Sequence, residues 1–260
     1  MPDPEATLRQ WREWSGVFGA KPKLLGTLGG GSTNHSYLIE AHSQRFVLRL
    51  SSSAGTQLGI VRAHERLILN DAAAAGIAPA IAHCSVEDGV LITEFIDGAA
   101  YAEPDARIRC DILIALTRRI HALETPVPAV DYYAHAERYR RRLLAAGVAL
   151  PGALTSLASQ IAEEHEAGHA QPDASRICHR DLNPGNIIER AGRLYVIDWE
   201  YAARGASAFD FAAISAEWQL PLAAVGHATG LETRVLAHAA RLYEYTCALW
   251  RLVHAHDAAL

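Results

Sequence analysis

Short apolar runs bounded by glycine and polar turns open the chain. They predict three strands, Leu24–Leu28, His35–Glu40 and Arg45–Leu50. Gly29-Gly30-Gly31 parts the first from the second, and Ala41 to Gln44 parts the second from the third. Ahead of them, residues 5–18 predict a short helix carrying Trp11 and Trp14. Behind them, Ile60, Val61, Leu67, Ile68 and Ala72 recur with helical spacing and predict a helix over 58–75, ended by Gly76-Ile77-Ala78-Pro79. Two short strands follow near 80–85 and 89–95, around the turn Glu87-Asp88-Gly89, and Phe95-Ile96-Asp97-Gly98 reads as a hinge. Beyond it the pattern is mostly helical, over 105–123, 131–147, 151–169 and 206–256. The implied class is α+β, with a small β-rich lobe over residues 1–96 and a larger, mostly helical lobe over 97–260. There is no internal repeat and no long linker.

Composition narrows the function classes. A chain of 260 residues, half of them hydrophobic, can bury one large core or two modest lobes. A net charge of −5 gives no global attraction to nucleic acid or to an anionic membrane, so a phosphate site would need local cations. The four cysteines, Cys84, Cys110, Cys178 and Cys247, form no CxxC pair and are expected to be reduced thiols of a cytoplasmic protein. The acidic start Met1-Pro2-Asp3-Pro4-Glu5 lacks the apolar core of a leader, and no apolar run has the length of a membrane span. Oligomeric state is left open.

The chemistry is concentrated in the run Cys178-His179-Arg180-Asp181-Leu182-Asn183-Pro184-Gly185-Asn186-Ile187-Ile188. Twelve positions after Asn186, at the end of the apolar segment Leu194-Tyr195-Val196-Ile197, stands Asp198. A His-x-Asp-x-x-x-x-Asn loop, a short apolar strand and a second Asp make the layout of a kinase catalytic loop followed by its metal-binding carboxylate. Asp181 can take the proton of a substrate hydroxyl. Asn186 offers a neutral oxygen and Asp198 an anionic one, which suits Mg²⁺ carried by ATP. Pro184-Gly185 turns the chain so that Asp181 and Asn186 can face one space.

Nucleotide-binding groups are expected upstream. In Gly30-Gly31-Ser32-Thr33-Asn34 the glycines let backbone N–H groups approach phosphate, and the hydroxyls of Ser32 and Thr33 add donors. Asn34 stands where the third glycine of G-x-G-x-x-G would be. Arg49 is the one cation of Phe46-Val47-Leu48-Arg49-Leu50 and can bind phosphate bidentately. Glu65, on the next helix, can pair with it. Glu94 and Ile96 lie where hinge backbone would meet adenine.

These segments, with Ala208-Phe209-Asp210-Phe211-Ala212, resemble the aminoglycoside phosphotransferase/choline kinase superfamily over roughly residues 24–215. Bacterial choline-kinase-like and thiamine-kinase-like proteins are the nearest in look, on Asp198-Trp199-Glu200-Tyr201-Ala202 and the arginine at position 49. The resemblance implies a bilobal protein-kinase-like fold with ATP in the interlobe cleft and phosphate transfer to the hydroxyl of a small molecule. It also implies that Asp210 braces the catalytic loop. Protein kinases differ: Trp-Glu follows Asp198 here instead of Phe-Gly, Asn183 replaces the usual Lys, and no Ala-Pro-Glu follows. Choline is the first acceptor expected, with thiamine, another amino alcohol or an aminoglycoside as alternatives. A cationic acceptor calls for aromatic faces and a carboxylate, for which Glu200, Tyr201, Trp218, Tyr243 and Trp250 are the candidates, with Tyr245 close by. Tyr243 and Trp250 are seven apart and can share a helical face.

Three other readings compete. A non-catalytic kinase-like binding module is the alternative of another class, since the third-strand Lys is absent and the glycine run is incomplete. His165-Glu166-Ala167-Gly168-His169 matches the zinc-protease H-E-x-x-H, but Gly168 weakens the helix, Gln171-Pro172 ends it, and no H-x-x-G-x-x-H continuation follows. His179 is a nucleophile candidate by type, whereas its place in the loop predicts a packing role.

Overall fold

A computed structural model describes residues 3–14, 18–30, 33–52, 55, 58–170 and 175–258. The chain forms two compact units, Met1–Ala99 with Ile188–Glu200, and Ala100–Ile187 with Tyr201–Leu260. The sequence division at 96/97 placed Ile188–Glu200 with the helical lobe. The segment bonds within the first unit: the Val196 N–H donates to the Ile77 carbonyl at 2.7 Å, and the Arg193 guanidinium donates to the Gly76 carbonyl at 3.2 Å.

The first unit is built on an antiparallel sheet of five strands, ordered β1-β2-β3-β5-β4. These are β1 (Lys23–Gly30), β2 (Asn34–Ala41), β3 (Gln44–Ser51), β4 (Ile81–Ser85) and β5 (Val90–Glu94), each close to its predicted span. His42 and Ser43, both at positive φ, make the two-residue turn between β2 and β3, the geometry whose twist matches the flanking strands. The helix expected over 5–18 is shorter. α1 covers Pro4–Arg9, with Asp3 accepting the Glu5 N–H at 2.9 Å, and a single 3₁₀ turn follows at Trp11–Glu13. Trp14 and Phe18 are buried with Leu8 against Tyr37, Ile39, Leu48 and Ile92.

α2 runs over Arg62–Ala74, four residues later than predicted, because Gly59 is left-handed and Val61 extended. Its buried stripe is Glu65, Ile68, Leu69 and Ala72, an i, i+3, i+4, i+7 series; Val61 and Leu67, which the apolar pattern included, are exposed. A carboxylate therefore occupies a core position, which decides the pairing described below.

In the second unit Asp105 and Asp131 cap α3 (Ala106–His121) and α4 (Tyr132–Ala145) through their side chains, and α5 covers Gly152–Glu166. The stretch 206–256 is three helices: α6 (Ala208–Glu217), α7 (Leu222–Thr229) and α8 (Thr233–Ala258). Gln219 at φ +54 and Pro221 separate the first two, and Gly230 at φ +74 ends the second. Every residue from Ala208 to Ser215 is buried, making α6 the central helix of this unit. Among the described residues, no helix is long and apolar enough to cross a membrane.

Candidate active site

The loop after β6 (Arg176–Cys178) is held by a buried carboxylate. Asp210, fully buried on α6, accepts the backbone N–H groups of His179 at 2.9 Å and Arg180 at 2.8 Å, and His121 Nε2 donates to it at 3.0 Å. Burial by itself would raise the Asp210 pKa, but His121 and the two N–H groups outweigh it and hold the carboxyl below its ordinary value. These bonds fix Arg180 at φ +71, a conformation costing a non-glycine residue about 1–2 kcal/mol. The Arg180 guanidinium lies over the rings of Tyr132 (4.4 Å) and Phe209 (5.8 Å). His121, Cys178 and Asp210 also cluster as a metal site would, but the Asp210 oxygens are occupied by the loop and His121.

Asp210→Asn should cost about 3–5 kcal/mol of stability, because an amide cannot accept from three donors and leaves buried groups unpaired. The wild-type contribution is complete above the ordinary value of 3.8 and is lost as pH falls through the lower folded value. Denaturant unfolding of both proteins between pH 7 and pH 3 checks this: the gap should close toward acid.

Asp181 follows. Its backbone N–H donates to His179 Nδ1 at 3.3 Å, so this wholly buried imidazole supports the loop. Asn183 Nδ2 donates to Asp181 Oδ1 at 2.9 Å while Asn183 Oδ1 accepts the Gly185 N–H at 2.8 Å. Asn186 Nδ2 donates to both the Asp181 carbonyl and Oδ2, each at 2.9 Å. Two amides thus aim the carboxylate. The nitrogen of Asn186 is committed to Asp181, and its oxygen is the atom suited to a cation.

A cavity of about 260 Å³ in this unit is lined by Asp181 and Asn183 together with Tyr139, Tyr201, Phe209, Tyr243 and Trp250. Glu217, Cys247, Arg180 and Arg251 also border it. Tyr243 donates to Glu217 Oε1 at 2.7 Å, and Trp250 Nε1 donates to the Tyr201 hydroxyl at 2.8 Å. Burial pushes the Cys247 thiol up to about 11, so it is no thiolate nucleophile at neutral pH. Burial, with Arg180 and Arg138, holds His135 down to about 2, a neutral imidazole between Arg138 and Tyr139.

Two expected members of the acceptor site lie elsewhere. Trp218 is buried and donates to the Leu182 carbonyl at 2.8 Å, holding the loop beside Asp181. Glu200 belongs to the first unit, where both its oxygens are engaged. Glu217 is the carboxylate that sequence reasoning missed; its place one residue before Trp218, near a predicted aromatic, was the available signal. Tyr245 is core, its hydroxyl on Glu137 at 3.0 Å.

The first unit has a buried polar network of its own. Arg49 NH1 meets Glu65 Oε1 at 2.5 Å and lies 3.8 Å from Asp198 Oδ1. Burial would lower the Arg49 pKa, but Glu65, Asp198 and Glu200 outweigh it and raise it; Glu65 in turn is held low by Arg49 and Arg62 against its burial. Arg62, which the sequence reading missed, bonds Glu65 Oε2 at 2.8 Å, Glu200 Oε2 at 3.1 Å and Asn34 Oδ1 at 2.9 Å. A cation in the first turn of a helix opposes the helix dipole, and that local violation was its signal.

Thr33 Oγ1 donates to Glu200 Oε1 at 2.9 Å, and Asn34 Nδ2 to Glu200 Oε2 at 2.8 Å. The single hydroxyl hydrogen of Thr33 is therefore committed to Glu200, away from its expected role as a phosphate donor. Gly30 ends β1, and Gly31 and Ser32 lie outside the described residues. The Glu94 side chain accepts from Arg190 at 2.9 Å, and Ile96 is buried with its carbonyl bonded by the Gly98 N–H at 3.0 Å.

The charge balance of this network, not the number of free oxygens, suits a hard divalent cation. Three carboxylates (Glu65, Asp198 and Glu200) meet two guanidinium groups (Arg49 and Arg62), which leaves one negative charge in excess. Asp198 adopts φ +60, a left-handed conformation that Asp tolerates better than most residues. The H-E-x-x-H run does not form a zinc site: α5 ends at Glu166, Gly168 is left-handed, and His165 stacks on Tyr133 at 4.6 Å, so His165 and His169 share no helical face.

The sequence model of the phosphotransferase enzyme family matches residues 25–245, and the chain belongs to this family. Thiamine kinase of Shigella boydii serotype 4 (strain Sb227) is 28% identical over 195 residues, which are 74% of this chain and 65% of the relative. The chain thus matches just under two thirds of that protein's length. Among solved structures, choline kinase LicA from Streptococcus pneumoniae superposes with a TM-score of 0.76 at 20% identity, covering 99% of this chain and 93% of that one. A choline/ethanolamine kinase family protein from Mesorhizobium loti gives 0.73 at 20% identity, covering 98% and 87%. The α+β fold is the kinase-like one that the resemblance implied.

Proposed function

We propose that this protein transfers the γ-phosphoryl group of ATP to the hydroxyl of a small cationic alcohol, choline or a close analogue, with Mg²⁺. The observation that carries the reading is the 260 Å³ cavity in which Asp181, aimed by Asn183 and Asn186, meets Glu217 and the rings of Tyr201, Tyr243 and Trp250. A quaternary ammonium has no hydrogen to donate, so aromatic faces and a carboxylate are the groups able to hold it. The volume falls below the usual 300–1,000 Å³ of ligand pockets, which favours an amino alcohol over a multi-ring aminoglycoside.

In this mechanism the aromatic set and Glu217 orient the acceptor. Asp181 then removes the hydroxyl proton as the oxygen attacks phosphorus. The segment from Gly30 to Asn34 would receive phosphate, and Arg49 adds positive charge. Asp198 and Asn186 are the oxygen ligands assigned to Mg²⁺, which would neutralise charge on the phosphates. Nucleotide use is also supported by a LicA structure holding AMP, at a TM-score of 0.75. A second acceptor, thiamine, is favoured by the 28% identical relative, and a hydroxylated aromatic cation suits the same groups.

ADP release on a panel of choline, ethanolamine, thiamine, an aminoglycoside and neutral sugars tests the reading. Choline or thiamine should lead. A best acceptor that is a neutral sugar would remove the cationic assignment, and ADP release with none of them would favour a non-catalytic module. Trp250→Ala should raise the acceptor KM about 3- to 30-fold, the worth of one cation–π contact, with the ATP KM unmoved. Trp250 is 36% exposed, so its truncation should leave the fold intact. Equal rises in both KM values would remove Trp250 from the acceptor site.

A further inference from the structure

We propose that Glu200 is a positioning residue of the nucleotide turn: with Arg62 it clamps the Asn34 side chain, which does by hydrogen bonding what a third glycine does by permissiveness elsewhere. The inference rests on the proposed ATP chemistry and assigns a role inside it to residues outside the acceptor cavity.

The clamp is closed on every side. The Asn34 amide is held at both ends, its nitrogen on Glu200 Oε2 at 2.8 Å and its oxygen by Arg62 NH2 at 2.9 Å. Glu200 Oε1 takes the Thr33 hydroxyl at 2.9 Å, so two consecutive residues of the turn hang on one carboxylate. Backbone bonding continues the hold, with the Ser52 N–H on the Thr33 carbonyl at 2.8 Å. Glu200 is only 6% exposed, which with three donors on its two oxygens makes it a poor ligand for metal or substrate.

Its mounting is rigid. Trp199, beside it, is 1% exposed with its indole N–H on the Val196 carbonyl at 2.9 Å. Arg62 is itself braced by Glu65, which also pairs with Arg49 on β3. Thr33 and Asn34 are thereby registered against the sheet, against α2 and against the segment carrying Asp198. A glycine-rich turn loses much conformational freedom when it closes on phosphate. Fixing Thr33 and Asn34 beforehand lowers that cost in nucleotide binding. A clamp of this kind predicts an effect on ATP affinity and none on the acceptor.

An exchange of the two groups tests it. Asn34→Asp sets one carboxylate against another and should raise the ATP KM at least about tenfold, since like charges in contact cost several kcal/mol. Glu200→Gln should raise it less. The double variant Asn34→Asp/Glu200→Gln exchanges donor and acceptor across the same contact at unchanged net charge, leaves Arg62 a carboxylate partner, and should return the ATP KM to within about threefold of wild type. The acceptor KM should stay level in all three.

Thermal unfolding without nucleotide should follow the same order and the same recovery. A double variant no better than Asn34→Asp would overturn the clamp and indicate a direct role for Glu200. A rise in acceptor KM instead of ATP KM would do the same. Should Asn34→Asp not fold, Thr33→Val removes a hydroxyl donor at nearly constant shape; an unchanged ATP KM there would overturn the proposal. Wild-type protein that turns over no ATP would sink the proposed function, while recovery of unfolding temperature in the double variant would still decide the clamp itself.

Discussion

Asp181→Asn is expected to lower kcat by about 10²–10⁴, the range for losing a general base. The expectation follows from how the carboxylate is held. Its two oxygens each accept a side-chain amide N–H at 2.9 Å, from Asn183 and from Asn186. An asparagine of the same size keeps one acceptor, and its NH₂ must face a donor. The group that could take the proton disappears, and the remaining amide is also misaimed. The turn that follows keeps its own bond, Asn183 Oδ1 to the Gly185 N–H, and Asp210 still braces the loop. ATP affinity should therefore change little. Steady-state kinetics with nucleotide titration separates the two quantities, and a variant turning over at near the wild-type rate would show that Asp181 is not the base.

The second large effect belongs to Asp198. Asp198→Asn should reduce Mg·ATP affinity at least about 10²-fold, beyond the 10- to 100-fold that follows loss of a group merely supporting a metal ligand. Asparagine is the informative substitution because the residue is at φ +60, where Ala would add backbone strain. The fold should survive, since Arg49 keeps its 2.5 Å contact with Glu65 and Arg62 keeps both of its carboxylates. Removing one carboxylate from the excess of negative charge in this network takes away the attraction for a divalent ion. Calorimetry with ATP in the presence and absence of Mg²⁺ reads this directly. Equal Mg·ATP affinity in variant and wild type would withdraw the assignment.

Much of the fold was legible in the chain. The five sheet strands were placed within about two residues because their signals are local: apolar runs set off by polar turns and by Gly76 and Gly89, both left-handed. The predicted single stretch over 206–256 overlooked Pro221 and Gly230, two breakers plainly present. The N-terminal helix was overextended for a different reason. Trp14 and Phe18 gain more by burial against the sheet than by continuing a helix, and that contest involves residues more than twenty positions away.

The candidate site divides along the same line. The sequence by itself determined the linear constellation from His179 to Asp198, since spacing along one loop and one strand is a short-range property. It also pointed to Arg49 with Glu65, although only the buried stripe of α2 turns that pairing from a surface option into a core ion pair. Tertiary structure alone decided which carboxylate meets which partner. Glu200 stands two residues from Asp198, yet its side chain joins Thr33, 167 positions away in the chain, and Glu217 takes the place beside Tyr243 that Glu200 was expected to fill. Likewise Tyr243 and Trp250 line the cavity, whereas Trp218 turns to the Leu182 carbonyl. Backbone conformation follows from a few neighbouring residues. The direction and partner of a side chain on a tight turn depend on long-range packing and on where buried charge can be neutralised, and no local pattern encodes that sum.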